Sequence, residues 1–178
     1  MSLLSKEKVA FVIPTTSRGQ NWRCLDDTFL VKYLLASFDR QSTDKYDYIF
    51  YLGFDQDDAF YQNKDIQAEL KHLFEVKEGF KVHLITFDPI TSPPGHLTRM
   101  WNYLCRLAYR DGCRYYYFCG DDIQFTQEGW VTAAIQALKN HHNIGISGPA
   151  NLNGNTNIIT QTLVSWRHFD IFFNAYPD

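Results

Sequence analysis

The sequence predicts an α/β fold: a mostly parallel central sheet with helices on both faces and an irregular C-terminal segment. Three observations predict it. Short apolar runs alternate with stretches of helical periodicity as far as residue 148. The apolar runs are nearly continuous, as in strands buried on both faces. Polar loops follow several of them, at residues 15–18, 53–58 and 120–122, and in such sheets ligands bind outside the carboxyl ends of the strands.

Each element has its own signal. Residues 9–14 (Val-Ala-Phe-Val-Ile-Pro) read as a buried strand that opens into the polar loop Thr-Thr-Ser-Arg-Gly-Gln. Asp26 and Asp27 suit a helix start, and Leu30, Leu34 and Phe38 then recur at helical spacing. Residues 48–52 form a second strand, followed by an acidic loop with Asp55, Asp57 and Asp58. Ile66, Leu70, Leu73 and Phe74 mark a helix, and residues 81–86 a third strand. Ser-Pro-Pro-Gly at 92–95 breaks the chain before a helix carrying Leu97, Trp101, Leu104 and Ala108. The aromatic run 115–119 is the fourth strand, and Val131, Ile135 and Leu138 mark the helix after it. Residues 144–147 (Ile-Gly-Ile-Ser) are expected to be a fifth strand. An Asn- and Gly-rich loop through Asn151, Asn153, Gly154, Asn155 and Asn157 then leads to an apolar run, residues 158–164, that suits an antiparallel strand.

The composition narrows the function. A chain of 178 residues can bury one full hydrophobic core and is short for two, so residues 1–178 are expected to form one domain. A net charge of −3 with scattered Lys and Arg gives no footprint for a nucleic-acid backbone. No apolar run reaches the roughly 20 residues of a membrane span, and the first residues lack a signal-peptide core. Cys24, Cys105, Cys113 and Cys119 form no C-x-x-C pair and read as buried reduced thiols. A cytoplasmic location is therefore expected.

The chemistry concentrates at Asp121 and Asp122, two carboxylates at the end of an apolar strand. Adjacent strand residues face opposite ways, so a regular strand would give the two separate tasks. One can hold a divalent cation, Mn²⁺ or Mg²⁺, whose shell a bound diphosphate completes, while the other orients a ligand hydroxyl. The competing structural reading has the pair capping a helix that begins near Gln127, for which Thr126 is the better placed N-cap. Thr15, Thr16 and Arg18 offer hydroxyl, backbone N–H and guanidinium partners for phosphate, against an ordinary solvated turn. Arg99 and Asn102 lie three apart and share a helix face. His168 and Asp170 stand among Phe169, Ile171, Phe172 and Phe173, which suggest packing.

Three segments resemble the nucleotide-sugar-dependent glycosyltransferases of the GT-A fold. Residues 12–18 (Val-Ile-Pro-Thr-Thr-Ser-Arg) look like the first strand and nucleotide-binding loop. Residues 95–102 (Gly-His-Leu-Thr-Arg-Met-Trp-Asn) look like the helix whose Arg and Asn approach the donor. Residues 117–123 (Tyr-Phe-Cys-Gly-Asp-Asp-Ile) look like the strand bearing the DxD motif, with Gly120 in its first acidic position. The resemblance implies a single Rossmann-like GT-A domain. Residues 8–125 would be its nucleotide-binding half and residues 126–178 a partial acceptor side.

It further implies a metal-dependent transfer from a nucleotide-diphosphate sugar, most commonly a UDP-sugar, to the hydroxyl of an unknown glycan or other acceptor. Asp122 would be the metal ligand, Asp121 would lie near the ribose or sugar, and Asp55 near the base or ribose. Thr15, Thr16, Arg18, Arg99 and Asn102 would bind the donor. The C-terminal segment would supply acceptor contacts, with His168 a candidate metal ligand and Asp170, or Asp178, the candidate general base. Otherwise the chain is a donor-binding portion of something longer, without turnover. Gly-Asp-Asp also resembles the catalytic hairpin of viral RNA polymerases, which needs an earlier aspartate motif and a far longer chain. A nucleotidyltransferase would show a Gly-rich loop with a Lys after strand one, which residues 15–19 lack.

Overall fold

The computed structural model describes residues 5–38, 45–90, 96–152 and 160–177. It contains a five-stranded sheet in the order β3-β2-β1-β4-β5. β1 (Glu7–Pro14) lies at the centre, parallel to β2 (Tyr46–Asp55) and β4 (Tyr115–Phe118), and β3 (Phe80–Phe87) is parallel to β2. β5 (Thr162–Ser165) runs antiparallel to β4, with Tyr115 opposite Ser165. The apolar run after the Asn-rich loop thus supplies the antiparallel strand.

The continuous apolar strands bury both faces because alternate side chains feed two cores. Phe11, Phe50, Tyr117 and their neighbours pack against Leu30, Leu34 and Phe38 of the first helical segment. On the same face lie α3 (Lys64–Glu75) and α5 (Trp130–Asn140). Ala10, Val12, Tyr51, Tyr116 and Phe118 face the other way, onto α4 (Leu97–Arg110) and Phe169 of α6 (Trp166–Ile171). Gly53 belongs to this layering: a Cβ there would stand 2.5 Å from the Phe87 ring and 3.0 Å from Leu104. The connections after β1 and β2 use one face, and that from β3 to β4 uses the other. The order therefore reverses between β1 and β4, which is the topological switch point of the sheet.

Several expectations are corrected. Residues 144–147 form no strand; Ile144 and Ile146 are exposed, and only Ser147 bridges to Leu163. The chain leaves α5 through His142 and Asn143 at positive φ, with Gly145 at +115°, and the place beside β4 is held by β5. The aspartates at 26–27 sit in a 3₁₀ turn, Leu25–Asp27, and the following segment is π-helical over Leu30–Leu35 before α1 (Ala36–Phe38). α5 starts at Trp130 behind Gly129 at φ +72°, so neither Thr126 nor the acidic pair caps it. Cys24 is exposed, unlike the other three cysteines, and all four are free thiols. The expectations for residues 92–95, for Asn153, Gly154, Asn155 and Asn157, for Ile158 and Ile159, and for Asp178 fall outside the described residues. Among those described, no helix is long and apolar enough to cross a membrane.

Candidate functional site

The three polar loops meet at one rim because the parallel strands end in register, Pro14 beside Gly53 and Val12 beside Phe118. Thr15 continues β1, its N–H donating to the Gly53 carbonyl at 2.8 Å, and it is 4% exposed. Its hydroxyl lies 3.0 Å from that of Tyr61, in α2 (Ala59–Gln62), and hydrogen-bonds the Asp121 carboxylate. An ionised carboxylate only accepts, so the Thr15 proton goes to Asp121 and Tyr61 donates to Thr15. This relay joins the loops after β1 and β4 across the switch point.

Asp58 organises the other side of the rim. Buried at 3% exposure, it accepts from the Ser17 N–H and hydroxyl, both at 2.7 Å, and from the Thr16 hydroxyl and the Tyr61 N–H, both at 3.2 Å. The last contact makes it the N-cap of α2. Burial pushes its pKa up, but these donors outweigh burial and leave it below the ordinary value. Asp55, also buried, is pushed above the ordinary range by burial; Arg18 opposes the rise, and Asp57 and Asp58 add to it. The Arg18 guanidinium stands 3.2 Å from Asp55 and 2.6 Å from Asp57. Its own pKa is raised, chiefly by the hydrogen bond to Asp57.

The acidic pair divides its attention, for a reason other than strand alternation. β4 ends at Phe118, and Asp121 and Asp122 occupy a turn. Asp121 turns toward Thr15. Burial lifts its pKa to about 6, with the Thr15 hydrogen bond opposing the rise and Asp122 adding to it. Asp122 is exposed and borders a cleft of about 560 Å³ walled by residues 123–127, Tyr33, residues 149–152 and Gln161. A Cβ at Gly120 would lie 2.6 Å from the Asp122 carboxylate, so a larger residue there would turn that exposed side chain aside.

No protein-family model matches the sequence, and no curated protein matches it closely enough to show kinship.

The chemistry of the rim therefore stands on its own residues. Among those described, no three His, Cys, Asp or Glu side chains converge as a ready metal cage. An exposed carboxylate beside a second, partly buried one still suits Mg²⁺ or Mn²⁺, which keep several waters and complete their shells with ligand phosphates. A cation there would also relieve the repulsion within the pair.

Thr15, Thr16, Arg18, Asp55, Asp121 and Asp122 are thus gathered at one rim. Arg99, exposed in the first turn of α4, lies at the same edge of the sheet, since α4 follows β3. Asn102 is buried at 4% exposure, where its amide exchanges hydrogen bonds of 2.9 and 3.0 Å with the Tyr176 main chain. It clamps the C-terminal segment and is already engaged.

Asp170 and His168 are not brought to the rim. Because β5 runs antiparallel, α6 leaves from the opposite edge, where the Trp166 N–H bonds the Arg114 carbonyl. Asp170 accepts from the Tyr109 hydroxyl at 3.1 Å near the far end of α4. The His168 ring, half-buried, has its pKa lowered by burial, against the opposing effect of a hydrogen bond that it donates to the Asn174 main chain. Two contributors were given no role by the sequence, which reads Asp58 only as part of the acidic loop. Asp58 could have been found as an Asp N-cap ahead of Ala-Phe-Tyr, whereas nothing local marks Tyr61.

Proposed function

We propose that this protein binds a nucleotide-diphosphate sugar at the rim with the help of Mn²⁺ or Mg²⁺ and transfers the sugar to an acceptor hydroxyl. The observation that carries the reading is the Thr15–Asp121 contact. It ties a hydroxyl-rich loop, suited to phosphate and ribose, to an acidic pair across the switch point of a parallel sheet.

In this reading Asp122 would hold the ion, which when bound would supply charge neutralisation for a departing nucleoside diphosphate. Arg18 grips the diphosphate as a guanidinium fork. Its pair with the largely exposed Asp57 is the weaker of its two ties and can give way to a ligand phosphate, while buried Asp55 at 3.2 Å keeps the guanidinium at the rim. Asp55 and Asp121 accept hydrogen bonds from ribose or sugar hydroxyls, and the Tyr61–Thr15 relay keeps Asp121 aimed. In the transfer the bond from the anomeric carbon to the phosphate oxygen breaks, its electron pair leaving with the nucleoside diphosphate, the acceptor oxygen bonds that carbon, and the acceptor proton passes to solvent water.

A second reading, donor binding without turnover, is favoured by one observation. Asp170, the candidate base, hydrogen-bonds Tyr109 at the opposite edge of the sheet.

Calorimetric titration of UDP and UDP-glucose, with Mn²⁺ and with chelator, tests both readings on wild type and Asp122→Ala. Metal-dependent binding weakened at least tenfold in the variant is the expected result. Binding that ignores both chelator and substitution would refute the metal assignment. Sugar release or transfer from bound donor separates turnover from binding alone.

A further inference from the structure

The two margins of the sheet are finished differently. β5 is four residues long, and its outer side is already bonded, because Ser147 and Leu163 exchange both main-chain hydrogen bonds, at 2.9 and 2.6 Å. β3, at the other margin, runs against β2 for eight residues paired one to one. Its bonds to β2 fall on alternate residues. The Tyr48 N–H donates to the Gly79 carbonyl and the Gln56 N–H to the Phe87 carbonyl, so Lys81, His83 and Ile85 between them also face β2. Val82, Leu84 and Thr86 therefore turn their N–H and C=O groups outward. Among the described residues, none of these main-chain groups has a partner.

An open edge of this length is ordinarily blunted by proline, a bulge or several charges. β3 has no proline and no bulge, and Lys81 is its single formal charge. The groups it presents call for an extended strand. Antiparallel pairing about a two-fold axis makes such an edge its own complement. Opposed residues of an antiparallel pair either both bond or both do not, so the outward residues must face one another. An axis at Leu84 uses all three: Leu84 lies opposite its counterpart, and Val82 opposite Thr86.

The same register places Lys81 opposite Phe87 and His83 opposite Ile85, so no cation faces another. The two Lys81 residues stand about 20 Å apart along the strands. α3, which packs on β3, carries Lys64 and Lys71 with Asp65, Glu69 and Glu75, so its approach to a counterpart brings mixed charges together rather than a single sign.

We infer that the protein pairs with a second copy of itself through β3, antiparallel about a two-fold axis at Leu84, so that one sheet runs through both copies. The axis reverses strand direction, and the two candidate rims therefore open toward opposite ends of the dimer. Pairing of this kind is independent of the sugar-transfer reading.

Sedimentation velocity over a dilution series, with hydrogen exchange read at single amides by NMR, tests it on wild type, Leu84→Pro and Thr86→Pro. The monomer tolerates proline at both positions because their N–H groups point away from β2. Wild type should sediment as a dimer when concentrated and dissociate on dilution. With dimerisation the Val82, Leu84 and Thr86 amides should exchange at least tenfold more slowly, while those of Lys81, His83 and Ile85 stay slow at every concentration. Each proline variant should raise the dimer Kd at least tenfold. Thr86→Pro, at an exposed position near the strand end, decides the matter if Leu84→Pro disturbs β3.

A wild type that is monomeric at every concentration overturns the inference and leaves the edge to an extended segment of another protein. So does a dimer whose three outward amides stay unprotected. A dimer that both folded proline variants form with wild-type affinity also overturns it, since the copies then meet elsewhere.

Discussion

Replacing Asp121 with asparagine should stabilise the protein, and the gain should depend on pH. Burial raises the Asp121 pKa from 3.8 to about 6. The folded state therefore holds this proton more tightly than the unfolded chain does. Stability falls as pH rises from about 4 to about 6, and the full cost is present above that window. At 1.36 kcal/mol per pH unit the rise amounts to about 3 kcal/mol at pH 7.5 and about 1 kcal/mol at pH 4.5. Asparagine matches the neutral acid in shape and still accepts from Thr15, so it should recover most of that cost. At about 2–4 °C per kcal/mol for a domain of this size, Asp121→Asn should raise Tm by about 6–12 °C at pH 7.5, and by a third of that at pH 4.5. Thermal unfolding followed by circular dichroism, in chelator at both pH values, makes the measurement. An asparagine variant no more stable than wild type at pH 7.5, or a gain identical at both pH values, would refute the reasoning. The expected gain is what a functional carboxylate kept at a cost to the fold should show.

Two other substitutions probe how the rim is held. Ser37 is 1% exposed; it accepts from the Phe125 N–H at 2.9 Å and donates to the Tyr33 carbonyl at 2.6 Å, fastening the loop after the acidic pair to the first helical segment. Ser37→Ala removes both hydrogen bonds of this hydroxyl and should cost about 0.5–1.5 kcal/mol in urea unfolding, and an unchanged or increased stability would contradict this. Asn102→Leu keeps the bulk but removes both hydrogen bonds to the Tyr176 main chain, so hydrogen exchange at the Tyr176 amide should quicken at least tenfold while amides of β1 keep their protection. Unchanged exchange at Tyr176 would show that the stacking of its ring on Trp101, at 5.3 Å, suffices alone.

What could be read from the sequence was local. Continuous apolar runs identified β1, β2 and β4, the mixed segment at residues 81–86 identified β3, helical periodicity identified α3, α4 and α5, and the rule for parallel sheets gathered the loops at residues 15–18, 53–58 and 120–122 into one rim. What escaped depends on partners far along the chain. Asn102 looked like a cleft residue by its spacing from Arg99, yet the main chain of Tyr176 satisfies its amide inside the protein. The placement of Asp170 follows from the antiparallel direction of β5, which no local pattern carries through to α6. Ile144 and Ile146 carry a strand-like alternation, but His142 and Asn143 at positive φ and the neighbouring β5 leave them in a loop. At Tyr61 the decisive contact is a hydroxyl from a different loop, and no periodicity reports that.

The central position of β1 has a consequence for how the chain is made. Residues 7–87 can assemble three parallel strands as soon as they leave the ribosome, with β1 at one margin. That margin, Val9 to Val12, carries side chains fully buried in the finished protein, and it stays open until Tyr115–Phe118 has been synthesised. An apolar strand edge left bare during translation is a template for wrong pairing with other chains. The segment that closes it is the one that delivers Asp121 and Asp122. A nascent chain thus covers this edge and acquires its acidic pair in a single event, and a chain stalled short of β4 has neither.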